Sequence, residues 1–202
     1  MSTRNNTPLK DVTLATYGTS VGKLTLVVSD DALLYCGFEA PEMVRKRLSQ
    51  QVRHCTDESE DTSPERAGLL NQARAQIEEY LARRRHTFSL PLDLRLATPF
   101  CRDVVLALDT FVPYGTTLTY TELAAEMQRP RAARAVGAAL GANPICVVLP
   151  CHRVVGAGGK LTGYAGGIPA KRFLLGLEAG DLHVRAHDRA DTPARIRMSL
   201  ES

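Results

Sequence analysis

The chain has 202 residues, 44% of them hydrophobic and 23% charged, with a net charge of +3. This is the composition of a globular protein with one large core or two small ones, and the charge is too small to announce nucleic-acid binding. No apolar run is long enough to span a bilayer, and MSTRNNTPLK has no apolar stretch behind its charges. The expectation is a cytoplasmic protein (nuclear in a eukaryotic source) with no membrane partner. The five cysteines, Cys36, Cys55, Cys101, Cys146 and Cys151, are scattered and odd in number, which argues for reduced thiols.

Residues 13–38, TLATYGTSVGKLTLVVSDDALLYCGF, mix β-branched runs with Gly and Asp-Asp turn signals and predict a meander of about three strands. PEMVRKRLSQQV (41–52) predicts a short helix, and the acidic HCTDESEDTSPE (54–65) a surface loop. A helix should open at Pro64 and run to about Arg85, with Leu69, Leu70, Ala73, Ile77, Tyr80 and Leu81 as its apolar stripe. Arg83, Arg84 and Arg85 suit the negative end of that helix dipole. One more strand is expected over 87–92. A boundary follows within 86–99, after which TPFCRDVVLALDTF (98–111) has helical spacing. The polar residues after Gly180 are expected to be loosely attached. The fold class is thus α/β, of the α+β kind. A small N-terminal domain of β-sheet plus helices (1–92) precedes a mostly helical C-terminal domain with a helix-turn-helix (93–180) and a polar tail (181–202).

Thr119-Tyr120-Thr121-Glu122 is a capping-box pattern that starts the helix TYTELAAEM. After the turn QRP, a second helix should begin at Pro130 and end at Gly141, its natural cap. Two short helices with a tight turn match a helix-turn-helix by length. The second helix is rich in alanine and glycine, which suits close packing between helices. It equally suits approach to a nucleic-acid groove, with Arg131 and Arg134 supplying charge. Residues 119–178 carry seven basic side chains (Arg129, Arg131, Arg134, Arg153, Lys160, Lys171, Arg172) against three acidic ones (Glu122, Glu126, Glu178), an excess that suits either a basic face or ordinary solvated charge.

The stretch LPCHRVVG sets Cys151, His152 and Arg153 at the end of an apolar run. Three readings compete there: a buried small hydrophobe, half a metal site, or a nucleophile with its base. A structural zinc needs four ligands, and no C-x-x-C spacing exists; His183 and His187 have H-x-x-x-H spacing but no thiol nearby. No metal is expected. A thiol with a pKa of about 8.5 needs a base or a positive environment to ionise at neutral pH. On an extended segment neighbouring side chains diverge, so His152 would reach Cys151 through water. Glu178 is the only acid between Glu126 and Asp181 and suits the role of orienting the imidazole. A cysteine hydrolase using Cys151 and His152, and a helix-turn-helix regulator with an inert Cys151, are the rival functions.

PCHRVV, preceded by RAVGAALGANP and followed by GYAGG and KRFLLGLE, resembles the DNA O6-alkylguanine alkyltransferase family, the methylated-DNA–protein-cysteine methyltransferases, from about residue 98 to 178. The N-terminal strands and helices resemble that family's less distinctive first domain. The resemblance implies direct, irreversible repair: a base is flipped out of duplex DNA, and the alkyl group passes from O6 of guanine to Cys151, once per molecule; whether O4-alkylthymine is also accepted stays open at the level of sequence. It implies no cofactor, a double-stranded DNA partner held through the minor groove, and a monomer. By position it makes Cys151 the acceptor, His152 the water-bridged base, Glu178 its carboxylate, and Asn143 the brace of the turn before the active-site strand. Tyr120 becomes the phenol donating to the flipped guanine, and Arg134 the finger that fills the vacated stack. Tyr164, Ala165 and Pro150 fall at the guanine pocket, and Thr121, Arg129, Cys101 and Ala157 at the DNA backbone. The chain departs from the family in having Ala165 where some members have Ser and Phe173 where many have Trp. It also lacks the ligand set of the first-domain zinc site found in some members.

Overall fold

The computed structural model describes residues 9–60 and 62–180. Three strands, β1 (Leu9–Thr19), β2 (Gly22–Val28) and β3 (Leu33–Gly37), form the expected meander. The β1–β2 turn closes in two residues, and Gly22 takes φ +128° there, a region costly for a side chain. Helix α1 (Pro41–Leu48) then leads into β4 (Val52–Asp57), which pairs in parallel with β1 and completes a sheet of order β3-β2-β1-β4. A surface loop was the expectation for most of β4. Only Val52 of this edge strand is buried, so its side chains are as polar as those of a loop while its backbone pairs.

Alternation along the strands separates two apolar faces. Val12, Leu14, Val27 and Leu34 pack on Val44 and Leu48 of α1. Ala15, Leu24, Leu26 and Val28 pack on Leu69, Leu70, Ala73 and Ile77 of α2 (Pro64–Leu81). Because both faces are covered, β2 reads as a nearly unbroken apolar run. Helix α2 stops four residues short of Arg85. Arg83 adopts φ +60°, and Arg85 turns back to an ion pair with Glu79, so the three arginines lie beyond the helix rather than capping its last turn. The strand expected at 87–92 reduces to a single bridge between Leu92 and Leu33.

Helix α3 (Pro99–Phe111), capped by Thr98, packs against α5 (Ala133–Gly141), and α4 (Tyr120–Glu126) packs on α5 as the other arm of a helix pair. The Thr119/Glu122 capping box forms as its spacing predicts. Helix α5 starts at Ala133, not Pro130: residues 129–132 make a turn closed by Ala132 N–H to Arg129 O at 2.8 Å. Short strands β5 (Leu118–Thr119) and β6 (Val154–Val155) pair in parallel and bring the start of α4 beside the Cys-His turn; α6 (Gly167–Ala179) closes the chain behind it. A single apolar cluster contains Leu24 and Leu26 of the sheet together with Val104, Leu108, Val136 and Cys151. The polar tail, with His183 and His187, lies outside the described residues. Among the described residues no helix is long and apolar enough to cross a membrane, and no three metal-ligating side chains cluster.

Candidate active site

The segment leading to Cys151 is held at both ends. Its apolar lead-in, residues 145–149, is fully buried, and β3 grips its start: Cys36 N–H donates to Pro144 O at 2.9 Å and Cys146 N–H to Cys36 O at 2.6 Å. Asn143 closes the loop from inside, its Nδ2 donating to Leu149 O at 3.0 Å while its Oδ1 accepts from Ile145 N–H at 2.9 Å. Within it Val147 is forced to φ +71°, a rare conformation for a β-branched residue, and such strain persists only where the surroundings impose it.

Cys151, His152 and Arg153 form a single 3₁₀ turn rather than the extended segment expected from their apolar flanks. Proline at the N-cap and the Arg153 N–H to Pro150 O bond (3.0 Å) tighten it. The turn still separates the two side chains: Cys151 lines a cavity, and His152 is wholly buried. The imidazole Nε2–H donates to Glu178 Oε1 at 2.9 Å, and Nδ1 is without a protein partner among the described residues.

Glu178 is the hub. Oε1 also accepts from the Tyr80 hydroxyl at 2.5 Å, and Oε2 accepts from Arg153 Nε at 2.9 Å and from Gly115 N–H at 3.0 Å. Burial opposes ionisation of Glu178, but the hydrogen bonds and charges of His152 and Arg153 outweigh it and hold the carboxyl at about 2. For His152, burial outweighs Glu178 and lowers the pKa, so the imidazole is neutral at physiological pH.

In front of the turn lies a cavity of about 420 Å³ lined by Tyr120, Gly137, Leu140, Gly141, Cys151 and the 162–165 loop. Tyr120, at the start of α4, shares a hydrogen bond of 3.0 Å with Thr162 Oγ1. Lys171 approaches from below, buried to 1% exposure, with Nζ donating to Val154 O (2.6 Å) and Thr162 O (3.2 Å) and lying over the Tyr120 ring. The Cys151 thiol is drawn below its ordinary value: hydrogen bonding with Cys146 leads, burial opposes it, and Asn143 and the Lys171 charge assist. Cys146 moves well above, pushed by that same bond and by burial. Of the two thiols, Cys151 is thus the more readily ionised and Cys146 the less.

Family comparison matches residues 99–180 to the DNA-binding domain of 6-O-methylguanine DNA methyltransferase and residues 12–94 to its ribonuclease-like domain. The chain belongs to this family. It is 49% identical over 121 residues to a methylated-DNA–protein-cysteine methyltransferase of Mycolicibacterium paratuberculosis, spanning 57% of this chain and 72% of the relative. The enzyme of that name from Methanosarcina acetivorans is 38% identical over 167 residues, spanning 81% and 96%. Mycobacterium tuberculosis OGT, solved in complex with DNA, superposes with a TM-score of 0.68 at 38% identity, covering 84% of this chain and 94% of that one.

Within this family member, the residues assigned by resemblance divide into three groups. His152 is hydrogen-bonded to Glu178, Asn143 braces the loop that leads to Cys151, and Tyr120, Tyr164 and Ala165 line the cavity with Cys151. Thr121, Arg129, Arg134 and Ala157 are exposed, Arg134 in the first turn of α5 and Arg129 over the Phe100 ring. Two assignments need correction. Cys101 is buried, its thiol donating to Ala139 O at 3.2 Å and its N–H to Thr98 Oγ1, so its side chain cannot reach a phosphate. Pro150 is buried behind the turn and does not line the cavity.

Sequence reasoning missed Tyr80, Lys171, Gly115 and the pairing role of Cys146. Tyr80 sat in an apolar stripe, Lys171 in a helix of ordinary amphipathic pattern, and Cys146 in an apolar run. Arg153 was visible beside Cys151 but carried no assigned partner.

Proposed function

We propose that this chain repairs duplex DNA by moving the alkyl group of O6-alkylguanine onto Cys151, in a single irreversible step after base flipping, with O4-alkylthymine as a second substrate. The observation that carries this reading is the arrangement of Cys151. Its thiol opens into a cavity with room for a purine, while the neutral His152, anchored on Glu178, stands behind it.

An alkylated base inside a duplex cannot present its O6 substituent, and extruding it costs a few kcal/mol. The helix pair supplies the means. Small residues along α5 let it enter the minor groove, and exposed Arg134 in its first turn fills the gap in the stack. Thr121, Arg129 and Ala157 meet the phosphates. In the cavity Tyr164 lines one wall, and the Ala165 backbone takes the place of a side-chain hydroxyl toward O6. The Cys151 proton passes through water to His152 Nδ1, whose Nε2–H stays on Glu178. The thiolate attacks the alkyl carbon, a C–S bond forms and the C–O6 bond breaks. The electron pair leaves on guanine, to which Tyr120 donates a proton. Nothing in this displacement calls for a metal or cofactor, and the thioether has no route back to the thiol.

The molecule acts as a monomer in the cytoplasm (the nucleus in a eukaryote), with residues 1–92 and 93–180 as its two domains. The test compares substrates. Cys151→Ala should abolish alkyl transfer from both duplex DNA and free O6-benzylguanine while retaining DNA binding. Transfer by Cys151→Ala at the native rate would refute the assignment.

A further inference from the structure

Among the described residues up to 92, the Tyr80 hydroxyl is the side-chain group that hydrogen-bonds to His152 and Glu178. Tyr80 sits on α2, wholly buried, 72 residues before His152 and 98 before Glu178 in sequence. Its ring is fixed between Phe88 (centroids 5.2 Å apart) and Tyr114 (6.1 Å). Packing alone would be served by phenylalanine, since a buried hydroxyl is costly without partners. Here it has two: it donates to Glu178 Oε1 at 2.5 Å and lies 3.2 Å from His152 Nε2.

That geometry determines the proton positions. A phenol has one hydrogen, and the shorter contact to a carboxylate takes it. The Tyr80 oxygen and Glu178 Oε1 then both face His152 Nε2 as acceptors, so Nε2 must carry its proton and Nδ1 must be bare. We propose that Tyr80 is a positioning residue for alkyl transfer, holding His152 in the neutral Nε2–H tautomer with Nδ1 free to take the proton of Cys151. This rests on the alkyl-transfer reading of the site. Donation by Tyr80 also spreads the charge of Glu178, so less of it falls on the imidazole and His152 is harder to protonate. The other groups facing His152 are Arg153, Lys171, Cys151 and Tyr164, with Tyr114 stacked edge-on behind Tyr80. Of these, Arg153 also donates to Oε1, which it shares with Tyr80 and His152. Arg153 Nε lies 3.0 Å from Oε1 as well as 2.9 Å from Oε2, but its permanent charge does not change when Tyr80 is replaced.

Two variants push the system in opposite directions. Tyr80→Phe removes the donor, concentrates charge on Oε1 and favours the imidazolium, which cannot accept a proton. The acid-side half-point of Cys151 alkylation by O6-benzylguanine should rise by about one pH unit, with the alkaline plateau retained. Replacing Tyr80 with 3-fluorotyrosine keeps the shape but strengthens the donor, and the half-point should fall. Histidine ¹⁵N NMR should show the Nε2–H tautomer of His152 in the native protein and a raised midpoint in Tyr80→Phe. Half-points unmoved in both variants, or an Nδ1–H tautomer in the native protein, would overturn the role of Tyr80. If Tyr80→Phe does not fold, the fluorotyrosine protein and the native tautomer still decide. Failure of the native protein to alkylate Cys151 would instead overturn the functional reading, while the tautomer would continue to test Tyr80.

Discussion

Glu178 holds four donors from three parts of the chain, and its substitution should be felt in folding as well as in repair. Glu178→Gln leaves the Arg153 guanidinium buried without its counter-charge, a change that costs about 3–5 kcal/mol. Denaturant titration should show that loss at neutral pH, and an unchanged midpoint would make the pair dispensable. The acid response has a definite sign. Glu178 titrates at about 2 in the fold against ~4.3 in an unfolded chain, so its stabilisation is complete above the higher value and disappears as pH falls toward the lower. His152 acts in the same direction, because burial lowers its pKa and protonation below ~6.5 favours the unfolded chain. Native stability should therefore decline from mildly acidic pH downward, and less steeply in Glu178→Gln. The grouping of Cys151, His152 and Glu178 was legible in sequence because Cys151 and His152 are adjacent and Glu178 is the lone acid in a long stretch. Tyr80 was not. Helical periodicity reports which face is buried and says nothing of a phenol oxygen meeting a partner 98 residues away.

At the scale of elements, the helix pair and the 162–166 loop carry separable tasks. If Arg134 fills the vacated stack, Arg134→Ala should slow repair of duplex DNA by about tenfold or more and leave reaction with free O6-benzylguanine unchanged, since only the duplex requires flipping. Equal losses on both substrates would point to a fold defect. The loop is pinned from the sheet side: a Cβ on Gly166 would stand 2.7–2.8 Å from three atoms of the Phe38 ring, whose edge packs on Tyr164. Gly166→Ala should cost about 1–3 kcal/mol in a thermal melt, whereas Gly163→Ala, with open space around it, should leave the melting temperature unchanged. A silent Gly166→Ala would show that Phe38 yields. The meander, α3 and the capped start of α4 were readable because each has a local cause: alternation, a leading proline or a capping box. The edge strand β4, the late start of α5 and the 3₁₀ turn were not. Pairing with β1, the turn at 129–132 and the grip of β3 on the acceptor loop are set by tertiary partners.

Across the whole molecule, the sheet and the C-terminal helices share one apolar cluster that reaches Cys151, and Tyr80, Phe38 and Cys36 extend from the N-terminal half into the site. The proposed boundary within 86–99 thus separates two stretches of chain that build one reaction centre. The first half is near-neutral and the second basic, with Arg129, Arg131 and Arg134 exposed along the helix pair and its turn. On the proposed mechanism, displacement at an alkyl carbon by a thiolate gives a thioether with no route back to the thiol, so the molecule itself would be consumed. Intact-protein mass measurement after incubation with excess duplex DNA carrying one O6-methylguanine tests this most directly. The account predicts one added methylene per chain, on the peptide carrying Cys151, with Cys146 unmodified. Repair of more than one lesion per chain, or label on Cys146, would contradict it.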